Sequence, residues 1–161
     1  MTNIDTQHNE RSLARFAGKV IGILLVLGIT GQAQQPGSSV LLPESTVPVA
    51  PICTGKKEVC KGWKPTKEDI QELDANLSQI AHLKSDWGSG PINHPERYFR
   101  QYVAVKIAEQ ELIYVNAFCI SPPADWQQHL HVVLDGGTCF WQAIYNPKTK
   151  KFSHLIINGR A

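Results

Sequence analysis

The closing stretch, Leu130 to Ala161, constrains this chain more than any other part. It reads LHVVLDGGTCFWQAIYNPKTKKFSHLIINGRA. β-Branched and aromatic side chains fill it, interrupted at Asp135-Gly136-Gly137 and again at Asn146-Pro147-Lys148-Thr149-Lys150. The pattern predicts strand, sharp glycine feature, strand, turn, strand. A sheet this apolar must cover at least one face, and the preceding chain supplies one amphipathic helix to do so.

That helix opens at Pro65-Thr66. Thr66 followed three residues later by Asp69 is a loose capping box, and Glu68, Asp69 and Glu72 put negative charge where the helix dipole favours it. Ile70, Leu73, Leu77, Ile80 and Leu83 form one stripe at helical spacing. Trp87-Gly88-Ser89-Gly90-Pro91 ends the helix, since glycine and proline both break it.

Two strands lie between the helix and the closing stretch. From Phe99 to Ile107 the odd positions are apolar except Gln101, and Glu109-Gln110-Glu111 reads as a turn. The next strand runs from Leu112 to Cys119, with Ile113, Val115, Ala117 and Cys119 on one face. Setting Ile107 opposite Ile113, Val105 opposite Val115 and Val103 opposite Ala117 makes the apolar faces coincide. A one-residue slip would turn one set outward. Asp135-Gly136-Gly137 fits either a tight turn between Leu130–Leu134 and Cys139–Asn146 or a glycine bulge bending one long strand. The expected fold class is α+β, with one amphipathic helix on an antiparallel sheet of about four to five strands. That layout also looks like cystatin-like folds, a likeness of fold alone.

The amino terminus reads as a targeting segment. Arg11, Arg15 and Lys19 lead into the apolar run Val20–Thr30, which is short for the ~20 residues that span a bilayer. Gly31-Gln32-Ala33 offers small residues for cleavage after Ala33. The rival reading is an uncleaved anchor from Phe16 to Thr30, interrupted by Lys19. The domain plan is therefore a signal peptide over 1–33, a proline-rich linker over 34–52 and one domain over 53–161. Pro36, Pro43, Pro48 and Pro51 predict an extended, unpacked linker. Export, to the periplasm or beyond, is the expected localisation, with no stable membrane insertion once the leader is cut.

An export reading makes the cysteines interpretable. Cys53, Cys60, Cys119 and Cys139 are even in number and all lie beyond the predicted cut, which points to two disulfides. Cys53 with Cys60 would close a small local loop and leave Cys119 with Cys139. The second bridge conflicts with a simple meander, because it needs Cα atoms within about 7 Å. Metal binding is the weaker alternative, since no C-x-x-C pair occurs.

Composition excludes one class of function. Net charge is +2, and no long run of one sign exists. A dense basic face is the main source of nucleic-acid affinity, so no nucleic-acid partner is expected. No G-x-S-x-G nucleophile or phosphate-binding glycine loop is present. Two classes stay open. One is a non-catalytic binding or interaction module whose partner is an envelope or extracellular protein or a small ligand. Its candidate ligand-binding residues are Arg97, Arg100, Tyr102, Tyr114 and Asn116, rings, an amide and guanidinium forks expected on one side of the sheet. The other is a small metal-dependent or acid–base hydrolase using His129, His131 and Asp135, with His154 or Asp135 as a third ligand. The sequence leans toward the module and implies no cofactor.

The pieces W-G-S-G-P-I-N-H-P-E-R-Y-F-R-Q-Y, I-Y-V-N-A-F-C, D-G-G-T-C-F-W and the ending I-N-G-R-A look like a family of small uncharacterised exported bacterial proteins. The resemblance covers about Trp87 to Ala161. It implies export and a compact α+β domain, and it carries no activity to transfer.

Overall fold

The computed structural model describes residues 35–55 and 60–159. The predicted signal peptide over 1–33, with its cut after Ala33, lies outside them. In chain order the elements are β1 (Ser39–Leu41), β2 (Cys60–Gly62), α1 (Lys67–Ala75), β3 (Ser85–Trp87), β4 (Phe99–Ile107), β5 (Gln110–Phe118), β6 (Phe140–Asn146) and β7 (Lys151–Ile157). The fold is α+β. The strands form one sheet in the order β1-β4-β5-β6-β7-β3, with β2 also on β4. Among the described residues the sheet has seven strands, more than the expected four to five, and it is mixed, because β1 runs parallel to β4 and β3 parallel to β7.

The central hairpin sits in a different register from the one expected. Ile107 faces Gln110, Val103 faces Tyr114 and Phe99 faces Phe118, a shift of three residues. The turn is the two residues Ala108 and Glu109, both left-handed at φ 47° and 66°. Two left-handed central residues twist with the flanking strands, which is why this turn closes tight hairpins. Apolar alternation does not select the register here. Every residue from Phe99 to Val105 is buried, so β4 has no solvent face for a slip to violate.

Both faces of the sheet are covered. On one, Leu73, Leu77 and Ile80 pack against Tyr102, Ile113, Val115, Trp141 and Tyr145. The stripe and capping box of the sequence are both real: Asp69 N–H donates to Thr66 Oγ1 at 3.1 Å and Thr66 N–H to Asp69 Oδ2 at 2.8 Å. The α-helix is shorter than expected and gives way to a 3-10 turn at Leu77–His82. Asn76 stands at the junction: its N–H is shared between Glu72 O and Leu73 O at 3.1 Å, and its side chain also donates to Glu72 O at 2.8 Å, the local bonding that makes asparagine a helix-end residue.

The other face is covered by the stretch read as an unpacked linker. Leu42, Val47, Ala50 and Cys53 are buried there with Val103, Val105, Tyr114 and Ile144. The prolines do not prevent this. Pro51 starts a 3-10 turn, where its missing N–H costs nothing, and β1 is a short edge strand. The Cys53–Cys60 disulfide ties this segment to β2.

The outer edge of β7 is finished by a side chain. Gln79 accepts from Phe152 N–H at 3.2 Å and donates to Lys150 O at 3.0 Å, so one amide imitates the missing strand before β3 takes over.

Candidate functional site

β5 and β6 are direct neighbours, with Phe118 opposite Phe140. The chain between them leaves the sheet, crosses its second face and returns. Cys119 and Cys139 close the neck of this excursion with a disulfide, their Cα atoms 5.0 Å apart. The pairing expected from sequence is therefore formed, and the conflict with the meander disappears because the intervening chain is not a ladder strand. Leu130–Leu134 pairs with no strand. Asp135-Gly136-Gly137 is neither hairpin turn nor bulge: Gly136 and Gly137, at φ 93° and 57°, swing the returning chain into β6, and Gly137 N–H donates to Gly159 O at 2.8 Å.

A row of side-chain amides holds the excursion down. Gln101, Asn116 and Gln142 stand opposite one another on β4, β5 and β6, and Asn158 follows β7. Gln101 Nε2 donates to Trp126 O and, at 2.7 Å, to His129 O, and its Oε1 accepts from His131 N–H at 2.8 Å. Asn116 Nδ2 donates to His131 O at 2.8 Å. Asn158 Nδ2 donates to Val133 O and, at 3.0 Å, to Asp135 O. Gln101, Asn116 and Asn158 are buried, and buried amides need such partners. Trp126, fully buried against Phe99 and Phe118, anchors one end by packing.

The same loop exposes apolar side chains. Leu134 is 86% exposed, with Val132 at 46% and Ile120 at 48%. Val133 and Leu130, by contrast, turn partly inward onto the two cores of this face.

The residues expected to bind a ligand are not brought together. Arg97 is exposed on a 3-10 turn, whereas Arg100, Tyr102, Tyr114 and Asn116 are all buried. Arg100 and Tyr102 lie on the helix side, Tyr114 and Asn116 on the opposite side. The Arg100 guanidinium is occupied: it donates to Tyr102 Oη, to the carbonyls of Glu96, Tyr98 and Gly37, and to Asp74 at 3.4 Å. Tyr102 Oη also donates to Asp74 at 2.5 Å. Burial pushes the Tyr102 and Tyr114 phenols well above their ordinary value, and Asp74 adds to this for Tyr102.

His129, His131 and Asp135 lie on the loop but do not converge. His129 pairs with Asp125 at 3.2 Å, His131 sits edge-on to Phe118, and His154 pairs with Asp86 at 2.9 Å. Among the described residues, no three His, Cys, Asp or Glu side chains are grouped to hold a metal ion. Nor, among them, is any helix long and apolar enough to cross a membrane.

Sequence reasoning missed the amide row. A signal existed: with Gln101 set opposite Asn116, Phe99 falls opposite Phe118 and Lys106 opposite Glu111, three like-with-like or opposite-charge pairs. No family model, curated protein or solved structure matches this chain.

Proposed function

We propose that this protein is an exported, non-catalytic binding module of the bacterial cell envelope that presents the loop Ile120–Thr138 to a protein partner. One observation carries the reading. The loop's main chain is fixed by a disulfide and by buried amides, while Leu134, Val132 and Ile120 face solvent. Holding apolar side chains on a pre-ordered backbone lowers the entropy lost on association. These exposed apolar side chains all belong to this one loop, and apolar surface gathered in one place is what a protein partner covers. Export is supported by the basic start, the short apolar run and the two disulfides.

A photo-crosslinking residue at position 134, compared with one at Ser78, tests the reading in intact envelopes. A discrete adduct is expected from position 134 alone, and Val132→Asp should remove it. Equal adducts from both positions would reject the loop as the contact. Turnover that His131→Ala or Asp135→Ala abolished and Leu134→Asp spared would put an acid–base enzyme in its place. Mass spectrometry of the mature protein should find Gln34 or a near neighbour at the amino terminus. An intact Met1 chain in the cytoplasm would reject export.

A further inference from the structure

A cleft of about 330 Å³ opens at the outer edge of β4. Its position follows from the topology. β1 pairs with Arg100–Tyr102 and β2 with Val105–Ile107, so the two short strands lie end to end along β4 and the cleft opens over Ala104. Leu42 and Trp63 line it with Ala104. The indole is fixed, because Trp63 Nε1 donates to Leu112 O at 2.9 Å. The lining is mostly apolar, with two charged exceptions, Glu44 and Lys64. Among the described residues neither belongs to an ion pair. Gly62 leaves room for Glu44 in its present place, since a Cβ there would sit 2.4 Å from Glu44 Cγ and the carboxylate side chain would have to shift.

We propose that this cleft binds a small apolar zwitterion of dipeptide size, its ammonium at Glu44 and its carboxylate at Lys64. Three features favour that class. The volume is at the low end of the ~300–1,000 Å³ that holds small molecules. Leu42, Ala104 and the Trp63 ring offer hydrocarbon and aromatic surface, which rewards an apolar side chain for leaving water. The two opposite charges in the lining suit a molecule that carries both, whereas a ligand with one net charge meets a like charge in the same lining. Ala104 leaves the floor open, and a larger side chain there would fill it. The cleft shares no residue with the loop Ile120–Thr138, so the two sites stand or fall separately.

The test is an NMR titration of the full protein with L-leucyl-L-leucine, read at the Trp63 indole N–H. Saturable shifts are expected. N-acetyl-leucyl-leucine and leucyl-leucinamide should each bind about tenfold more weakly, as loss of one charge-assisted contact implies. Glu44→Gln should weaken the free dipeptide by a similar factor and leave the acetylated one unaffected. Lys64→Ala should do the same with respect to the amide. Ala104→Phe should abolish binding while the fold, checked by its melting curve, persists. No saturable shift at millimolar dipeptide overturns the proposal. So does equal binding of free and blocked dipeptides, which would leave an apolar cleft with no zwitterion preference. If Ala104→Phe fails to fold, the Glu44 and Lys64 variants still decide the matter.

Discussion

Asn116 Nδ2 donates to Gln101 Oε1 at 3.0 Å from directly across the β4–β5 ladder. The bond aims both amides at the loop overhead. Gln101 carries three loop contacts, more than any other member of the row. Gln101→Ala should therefore leave the carbonyls of Trp126 and His129 and the amide of His131 short of a partner. A buried group left unsatisfied costs about 1–3 kcal/mol. The expected result is a fall in denaturant midpoint, with amide exchange accelerated over 126–135 and unchanged in the sheet. Uniform acceleration everywhere would show that the row does not hold the loop specifically.

Leu77, the first residue of the 3-10 turn, is 2% exposed, while the neighbouring Ser78 faces solvent. Leu77→Ala should cost about 2–5 kcal/mol in equilibrium unfolding, as truncation of a buried leucine does. Ser78→Ala should be near neutral. Small, equal effects would mean that this turn does not cover the sheet.

The two disulfides differ in access. Cys53 is fully buried and Cys60 nearly so, whereas Cys119 is exposed at the neck of the loop. Thiol exchange requires an attacking thiolate to reach a sulfur. Limited reductant under native conditions should thus open Cys119–Cys139 first, leaving Cys53–Cys60 intact by peptide mapping. The reverse order would contradict the packing of the segment around Cys53.

Burial raises the Tyr102 and Tyr114 phenols above the ordinary value of 10.0, with Asp74 adding to the effect at Tyr102. The folded state holds these protons more tightly than the unfolded chain does. Their contribution to stability is therefore complete below about pH 10 and is lost as pH rises toward the folded-state values. The melting temperature should fall in that alkaline range, and ultraviolet difference titration should show these two phenols ionising only as the fold opens. Smooth ionisation of all tyrosines in the intact protein would refute this.

Much of the frame was legible in the sequence. β4 begins and ends where the pattern of Phe99–Ile107 places it, the Thr66–Asp69 cap forms, and Leu73, Leu77 and Ile80 enter the core. Local signals suffice for these, since each depends on near neighbours in the chain. The register and the loop depend on what covers the second face, and that is contributed by distant residues. Alternation lost its force because Leu42 and Val47 bury one side of β4 while α1 and the turn after it cover the other. Ala108 and Glu109 gave no warning of left-handed geometry, which glycine or asparagine would have done. Arg100 and Tyr102 looked like a recognition face because charge and phenol usually sit outside. Asp74 and three backbone carbonyls instead make a buried home for them.

Gln101, Asn116 and Asn158 grip carbonyl oxygens and one amide hydrogen, never a side chain of the loop. The loop's route is thus written in the sheet, while its outward lettering is free to change. Positions 132 and 134 can be randomised in a library, or drift over generations, with the main chain running the same course. Such a grip makes the loop a natural frame for grafting foreign sequences. The substitution it forbids is proline at His131, whose N–H the grip requires.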